Sequence, residues 1–336
     1  MENNGTIKKL KESGFFDLAP LKQIEFLREH GFFKLDLEKR IKFLEQIGLF
    51  YIDVNEDPPT IPLEPDNPDL DYLKERPINA TKNRIANDWK YNFVNNAIKN
   101  GQLIIDGVEG IENALSVETG AIITCNHFHP FDSFSIEHVL QEAGSSKRLY
   151  KVSREGNFTN FPKGKIQLYF KYDNLLPLSQ IPETVEMFDK AVHTILDRKD
   201  LILVCPEQSM WMGYKKPKPM KYGAFKWATE NDVPVIPTFI TQRAVEENEE
   251  AQAYTIHVGA PIYPDHSLSP RENIRRMRDL DFEFCRRTYE RVYGIPLEYE
   301  TTVHEDIPKY VKSTPHFDEI VNGKSERDLD DDLDIG

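Results

Sequence analysis

Hydrophobic positions in the first fifty residues recur with a period of 17. The most regular feature of this repeat is a glycine in each unit, at Gly14, Gly31 and Gly48. Apolar residues at helical spacing precede each glycine, which predicts three short amphipathic helices that each end at their glycine. Pro20 and Asp36 stand where the second and third helices should begin. Residues 1–53 are therefore predicted to form a small helical-repeat module.

The large apolar pairs that follow these glycines have two interpretations. The pairs are Phe15-Phe16, Phe32-Phe33 and Leu49-Phe50. They either pack against the rest of the protein or dock in part on a membrane surface or a partner. The sequence leaves both interpretations open.

Two segments lack any helical or strand periodicity. Residues 54–80 contain six prolines and many acids, a composition typical of an extended linker rather than of a packed element. Residues 301–336 form a C-terminal extension that carries six acids in its last eleven residues, which predicts a disordered tail.

Between these segments, over residues 81–300, apolar strands alternate with helices. A helix is expected to begin at Thr81 and to end at Gly101. The further predicted strands are 103–105, 121–124, 201–204, 235–240 and 255–258, and the further predicted helices are 133–143, 183–198, 221–231 and 270–292. Such alternation predicts an α/β domain with helices on the faces of a sheet.

Composition narrows the class of protein. The 56 acidic residues outnumber the 42 Lys and Arg residues, so the net charge is −14 and a nucleic-acid partner is not expected. No apolar run approaches the ~18–20 residues of a membrane span, and the first residues lack the apolar core of a signal peptide. The three cysteines are widely spaced and predict neither a disulfide framework nor a zinc site. A reduced, cytoplasmic protein is therefore expected.

The candidate chemistry lies where the strand at 121–124 ends. His127 and Asp132 stand five residues apart across the turn that leads into the next helix. A carboxylate there can accept the proton of one imidazole nitrogen and leave the other nitrogen as a general base. The pair alone also fits a bland alternative, in which Asp132 caps the helix and His127 is an ordinary loop residue.

These residues and several later segments resemble the glycerolipid acyltransferase superfamily, typified by bacterial 1-acylglycerol-3-phosphate O-acyltransferases. The first signature of that family, Asn-His-x4-Asp, is matched by Asn126, His127 and Asp132. The other matching segments follow in the family's order and are Pro206-Glu207, Lys221-Tyr222-Gly223, Val233–Pro237 and Gly259–Ile262. The resemblance covers residues 103–262 and implies a mixed α/β sheet flanked by helices.

The resemblance also implies a reaction. A fatty acyl group would pass from an acyl thioester of coenzyme A or acyl carrier protein to a hydroxyl of a lipid acceptor, with no cofactor and no metal. His127 would take the proton of the acceptor hydroxyl, and Asp132 would hold the imidazole. Glu207 would help to place the acceptor, and the other residues expected to contact substrate are Asn126, Gln208, Ser209, Lys221 and Gly223. Because the acceptor is a lipid, the protein is expected to act peripherally on the inner face of the cell membrane.

The chain departs from the family pattern at two blocks. Gln208-Ser209-Met210-Trp211 replaces the usual Gly-Thr-Arg after Pro-Glu, and the second block, near 172–179, lacks its arginine. Arginines at these positions are suited to a phosphate on the acceptor, so their absence puts a phosphatidic-acid type of acceptor in doubt. The cations considered as replacements, or as contacts to donor phosphates, are Arg154, Lys163, Lys165, Lys171, Lys215 and Lys216. For the basic run at 214–221 a plain solvated loop is the alternative.

Two alternative functions remain at this stage. The altered 208–211 segment is compatible with a catalytically inert, lipid-binding member of the same fold. His127, His129 and Asp132 could instead form half of a metal site in a hydrolase, although the sequence offers no second ligand cluster.

Overall fold

The computed structural model describes residues 3–57, 60–160, 164–246, 248 and 251–300. The predicted acidic tail and the candidate Lys163 lie outside the described residues. In the part of the chain that is described, no helix is both long enough and apolar enough to span a membrane.

The N-terminal repeats form the predicted helices. Helices α1 (Asn3–Glu12), α2 (Pro20–Glu29) and α3 (Leu37–Ile47) are joined by 3-10 turns at Phe15–Asp17 and Phe32–Lys34. The glycines at 14, 31 and 48 adopt φ of 71°, 78° and 73°. This left-handed conformation is unfavourable for residues with a side chain, whereas glycine adopts it readily. The Asp36 side chain accepts a hydrogen bond from the Lys39 N–H at the start of α3, which confirms the predicted cap.

The aromatic pairs of the repeats pack inward. Phe15, Phe32 and Phe50 are almost completely buried, and Phe16 and Phe33 lie partly buried against the same core. That core continues into one face of the sheet, where it includes Ile122, Ile202 and Val235 from three strands and leaves the module no core of its own. The structure therefore favours packing over docking for these residues.

The proline-rich segment was predicted to be an extended linker rather than a packed element, and the second part of that prediction is wrong. Its described residues between 54 and 76 form no helix or strand, because prolines cannot supply the backbone N–H groups that such elements need. Leu63 and Leu70 are nevertheless buried, and the Tyr72 hydroxyl donates to the Pro177 carbonyl. The segment thus packs along the sheet domain, and helix α4 begins at Pro77 instead of Thr81 because proline suits the first turn of a helix.

A seven-stranded sheet carries the loop that contains His127 and the start of the helix that contains Asp132. Its strands are β1 (Leu103–Glu109), β2 (Ala121–Cys125), β3 (Leu149–Arg154), β4 (Leu175–Leu178), β5 (Leu201–Val204), β6 (Val235–Arg243) and β7 (Gln252–Val258). The spatial order is β1-β7-β6-β2-β5-β3-β4. The five strands from β6 to β4 run parallel, and β7 pairs antiparallel with β6. The predicted mixed α/β sheet is confirmed.

Helices cover both faces of the sheet. They are α4 (Pro77–Lys99), α5 (Ile111–Leu115), α6 (Asp132–Glu142), α7 (Glu155–Thr159), α8 (Lys165–Tyr172), α9 (Pro182–Asp197), α10 (Gly223–Glu230) and α11 (Pro270–Tyr293). One apolar core joins α9, α10, α11 and the N-terminal module, and the other joins α4 and α6. Successive residues of β2 serve opposite cores, with Ile122 in the first and Ile123 in the second.

Two strands escaped prediction for local reasons. The sequence of β3, LYKVSR, is half polar, and β4 contains Pro177. Proline is tolerated there because β4 is an edge strand of the sheet.

Candidate active site

The candidate residues stand at the carboxyl end of the central strand. Strand β2 lies between β5 and β6 and is buried along its whole length, and the chain then turns through residues 126–131 into α6. Side chains at this end of a parallel sheet border the crevice in which α/β proteins bind ligands. We call residues 126–131 the β2 loop and residues 205–222, which follow the neighbouring strand, the β5 loop.

His127 and Asp132 form the predicted pair. The distance from His127 Nδ1 to Asp132 Oδ2 is 2.6 Å, and the Asp132 carboxylate is fully buried. The same carboxylate oxygen accepts hydrogen bonds from the backbone N–H groups of Phe128 and His129, at 3.2 and 3.4 Å, so the β2 loop curls around it. The His127 side chain remains 31% exposed, and its Nε2 forms no hydrogen bond to any residue that the structure describes.

The surroundings of His127 shift its basicity. Burial disfavours the charged ring and lowers its pKa, whereas the negative charge of Asp132, the hydrogen bond to it and the nearby Cys205 thiol raise it. The net effect is a His127 pKa raised above its ordinary value. A ring with a raised pKa binds a proton strongly. A base that takes a proton from a hydroxyl needs this property.

Asn126 has a different place from the one expected. Its side-chain Nδ2 donates to the Ile240 carbonyl at 3.0 Å, and its Oδ1 accepts from the Ile240 N–H at 2.8 Å. The amide is buried and both ends of it are used, so the expectation of a substrate contact is corrected. Asn126 instead ties the β2 loop to the neighbouring strand β6.

The Glu207 carboxylate is also engaged within the protein. Its side chain is 2% exposed, and its carboxylate accepts from the backbone N–H groups of Lys218 at 2.8 Å and of His127 at 3.2 Å. The expectation that Glu207 places the acceptor is corrected, because a carboxylate with these partners holds the backbone of the β2 loop from behind.

Lys218 is the functional residue that the sequence interpretation missed. Its ammonium group is 1% exposed and lies 2.9 Å from the Glu207 carboxylate, and it donates to the carbonyls of Ser209 at 2.7 Å and His127 at 3.2 Å. In the sequence it was one more cation of the basic run. The signal available in the sequence was its position between two prolines, eleven residues after an acid that follows a buried strand.

The backbone of the β5 loop completes this support. The Trp211 N–H donates to the His127 carbonyl at 3.2 Å, and the Gly213 N–H donates to the Phe128 carbonyl at 3.1 Å. The backbone N–H and C=O of His127 are therefore both held by the β5 loop.

The departure from the family pattern at 208–211 faces the N-terminal module. Ser209 Oγ donates to the Phe50 carbonyl, and Trp211 Nε1 donates to the Ile52 carbonyl at 2.7 Å. The Trp211 ring stacks on Phe50 with centroids 5.4 Å apart. Ser209 is thus buried in an internal contact, which corrects its predicted role in substrate binding.

The remaining predicted contacts of the β5 loop lie at its surface or its end. Gln208 is exposed and adopts φ of 59°, the left-handed conformation, at the position where the family pattern has glycine. The Lys221 N–H donates to the Pro206 carbonyl at 2.8 Å, and its ammonium group lies 5.3 Å from the centre of the Tyr51 ring. Gly223 is the first residue of α10.

The basic run is largely neutralised from within. Lys216 lies 2.6 Å from the buried Glu45 carboxylate of α3, so it ties the β5 loop to the module instead of facing solvent. Lys215 is exposed and lies 5.4 Å from the Tyr293 ring centre. Lys165 is exposed on the other side of the β2 loop. Arg154 is paired with Asp53 and Asp57 of the N-terminal segment.

The metal hypothesis finds no support in the geometry. His129 Nδ1 accepts a hydrogen bond from the Phe131 N–H at 3.1 Å, so that nitrogen is already used. Across the described ranges, no group of three or more His, Cys, Asp and Glu side chains is arranged to hold a metal ion.

A pocket with a mixed apolar and polar lining lies along helix α4. It has a volume of about 360 Å³ and is lined by Trp89, Asn92, Phe93, Asn96, Ala97, Gln102 and Lys165. The Phe93 ring lies 5.8 Å, centre to centre, from Phe131 of the β2 loop. Phe93 therefore joins the lining of the pocket to the β2 loop.

Comparisons with known proteins give a structural likeness only. No protein-family model matches the chain, and no curated protein matches its sequence significantly. Among solved structures, the chain is similar to the 1-acyl-sn-glycerophosphate (LPA) acyltransferase PlsC from Thermotoga maritima. The identity is 16% and the TM-score 0.45, over 68% of this chain and 87% of that one. The function proposed below rests on the residues of the site.

Proposed function

We propose that the protein is an O-acyltransferase that moves a fatty acyl group from an acyl thioester to a hydroxyl of a lipid acceptor. The observation that carries this proposal is the His127–Asp132 pair. Its carboxylate is fully buried, and the Nε2 atom of its imidazole is left to act on a substrate.

In the proposed reaction His127 Nε2 takes the proton of the acceptor hydroxyl while the hydroxyl oxygen attacks the thioester carbonyl carbon. Asp132 keeps the proton on Nδ1 and stabilises the imidazolium that forms. The tetrahedral intermediate then breaks its C–S bond, and the thiol leaves with the proton returned by His127. An ester and a free thiol are the products, and no electron is transferred.

The proposed substrates follow from the surroundings of the pair. The contact of Phe131 with Phe93, one of the three apolar side chains that line the pocket, supports a fatty chain as part of the substrate. We propose coenzyme A or acyl carrier protein as the acyl carrier. Since lyso-lipid acceptors reside in membranes, we also propose that the protein works as a peripheral protein at the inner face of the cell membrane.

The test is an assay of thiol release from acyl-coenzyme A and from acyl carrier protein, with and without a panel of lyso-lipid acceptors. The wild type is expected to release thiol only when donor and acceptor are both present. His127→Ala should abolish this release, and the matched control His129→Ala should retain most of it, because the His129 ring does not pair with Asp132. Treatment with EDTA should have no effect.

Other outcomes would contradict the proposal. Equal damage from His127→Ala and His129→Ala, together with loss of activity in EDTA, is the pattern that a metal-dependent hydrolase would give. A wild type that binds lipid but releases thiol from no donor, with any acceptor, would favour the inert lipid-binding alternative.

A further inference from the structure

Two carboxylates, those of Asp53 and Asp57, lie at the carboxyl edge of the sheet. They belong to the segment that joins the helical module to the proline-rich stretch. Arg154 is the last residue of β3, and β3 runs parallel to β5, which pairs with β2, the strand before the His127 loop. The Arg154 guanidinium forms an ion pair with Asp57 and lies 3.5 Å from Asp53. Arg154 is thus a candidate phosphate contact whose charge is already balanced by the chain itself.

Asp53 is held against the β5 loop, next to the residue that binds the His127 backbone. Its Oδ1 accepts the backbone N–H of Met210 in the β5 loop, at 2.5 Å, and its side chain is 25% exposed. Burial raises the pKa of Asp53, while the Met210 N–H and the charges of Arg154 and His127 act to lower it. Met210 is followed by Trp211, whose N–H donates to the His127 carbonyl at 3.2 Å, so adjacent residues of the β5 loop hold the Asp53 carboxylate and the His127 backbone.

We propose that Asp53 and Asp57 determine acceptor specificity by occupying Arg154, so that the site favours a lipid acceptor with a neutral hydroxyl headgroup over one with a phosphomonoester. This inference rests on the proposed function. With Arg154, the two carboxylates leave a net charge of −1, and a phosphomonoester would have to displace them while bringing further negative charge. A neutral polyol headgroup meets no such repulsion, and its hydroxyl groups can donate to the exposed carboxylate oxygens.

This arrangement gives a role to residues 208–211, where the sequence departs from the family pattern. Trp211 and Ser209 fasten the backbone of the N-terminal segment at Ile52 and Phe50, directly before Asp53. The residues that replace the family's usual Gly-Thr-Arg therefore position the Asp53 carboxylate against the β5 loop.

The experiment compares two acceptors, 1-oleoyl-lysophosphatidate and 1-oleoylglycerol, with one acyl donor. For the wild type, kcat/KM is expected to be higher with the monoacylglycerol. The double variant Asp53→Asn/Asp57→Asn should shift the ratio of the two kcat/KM values at least tenfold towards lysophosphatidate, because Arg154 is then free to bind phosphate. Adding Arg154→Gln to this double variant should remove the gain.

A control variant separates this effect from a general change of charge. Glu56→Gln removes one negative charge from the same segment, but Glu56 pairs with Arg28 of α2 at 2.7 Å. This variant should leave the acceptor ratio unchanged. If the double variant loses thermal stability, the single change Asp57→Asn, at a half-exposed side chain, provides the same measurement with a smaller expected shift.

The two proposals fail in different ways. A wild type that transfers acyl groups but prefers lysophosphatidate, or a double variant that is active with an unchanged ratio, would overturn the specificity proposal alone. Absence of transfer to every acceptor would overturn the proposed function and the specificity proposal with it.

Discussion

The two loops of the site differ in what holds them. The β2 loop is organised by its own neighbour, because Asp132 binds the His127 ring and two backbone N–H groups within five residues of sequence. The β5 loop is organised by remote partners, because Ser209 and Trp211 bind carbonyls of Phe50 and Ile52 some 159 positions earlier. The comparison shows that the His127–Asp132 pair depends on contacts between sequence neighbours. The β5 loop, which supports that pair, depends on contacts between residues far apart in the sequence.

The carboxylates of Asp132 and Glu207 illustrate this difference between the two loops. Asp132 and Glu207 are both buried, and each accepts at least one backbone N–H of the β2 loop. Asp132 also binds the His127 ring, which we propose as the base, whereas Glu207 binds the ammonium group of Lys218. Changes at the first should therefore act on activity, and changes at the second on stability.

The largest expected effect is that of Asp132→Asn on acyl transfer. An amide cannot stabilise the imidazolium as a carboxylate does, so kcat should fall by about 10²–10⁴-fold, the range of general-base assistance. That range corresponds to about 2.7–5.4 kcal/mol of barrier. The measurement is kcat from thiol release, with the free energy of unfolding as a check on folding.

The pH profile of the same variant gives a second readout. Only the neutral form of His127 can take a proton, so activity should rise with pH through the His127 pKa. Because Asp132 raises that pKa, the rising limb should lie above pH 6.5 in the wild type and move to lower pH in Asp132→Asn. A rising limb that does not move would contradict the assignment of His127 as the base.

The next effect concerns the buried pair behind the loop. Glu207→Gln or Lys218→Met alone leaves one charge buried without its partner, which should cost about 3–5 kcal/mol of stability in urea denaturation. The double variant Glu207→Gln/Lys218→Met should recover much of this loss, because neither charge remains. Single variants as stable as the wild type, with activity lost, would mean that Glu207 contacts substrate after all.

A smaller effect is expected at the tie between the β5 loop and the module. Trp211→Phe keeps an aromatic ring on Phe50 but leaves the Ile52 carbonyl without its donor, which should cost about 1–3 kcal/mol. The matched control Trp227→Phe changes a buried indole of α10 that packs on Phe188 and should cost less. Equal losses in the two variants would show that ring size, and not the hydrogen bond, is what matters at Trp211.

The smallest effect is expected at Gln208. Its left-handed backbone at φ 59° is unfavourable for a residue with a side chain, and the side chain is exposed. Gln208→Gly should therefore raise the free energy of unfolding by about 1 kcal/mol, whereas Gln208→Ala retains the strain and should not. A stabilising alanine would trace the effect to the glutamine side chain instead of the backbone.

Local patterns account for most of what could be predicted. The glycine period, the Asp36 cap and the strands at 121–125, 201–204 and 235–243 follow from spacing and hydrophobicity within a few residues. The His127–Asp132 contact was predicted from the spacing of the two residues together with the family resemblance, because the spacing alone also fits a helix cap beside an ordinary loop histidine. Strand β4 did not follow, because Pro177 removes the local signal and only its edge position permits it.

By itself the sequence determined the helical module, the alternation of strands and helices, and the contact of His127 with Asp132 that we propose as the catalytic pair. Only the tertiary structure decided that Glu207 and Asn126 are internal supports, that Lys218 is buried and that the proline-rich segment is packed. The physical reason is that burial of a charge depends on which partner arrives from elsewhere in the chain. Lys218 can be buried because Glu207 pairs with it, and Asp53 binds the β5 loop because Trp211 and Ser209 fasten the backbone directly before it. The fold brings such partners together from distant parts of the chain, so no hydrophobic periodicity in the sequence predicts them.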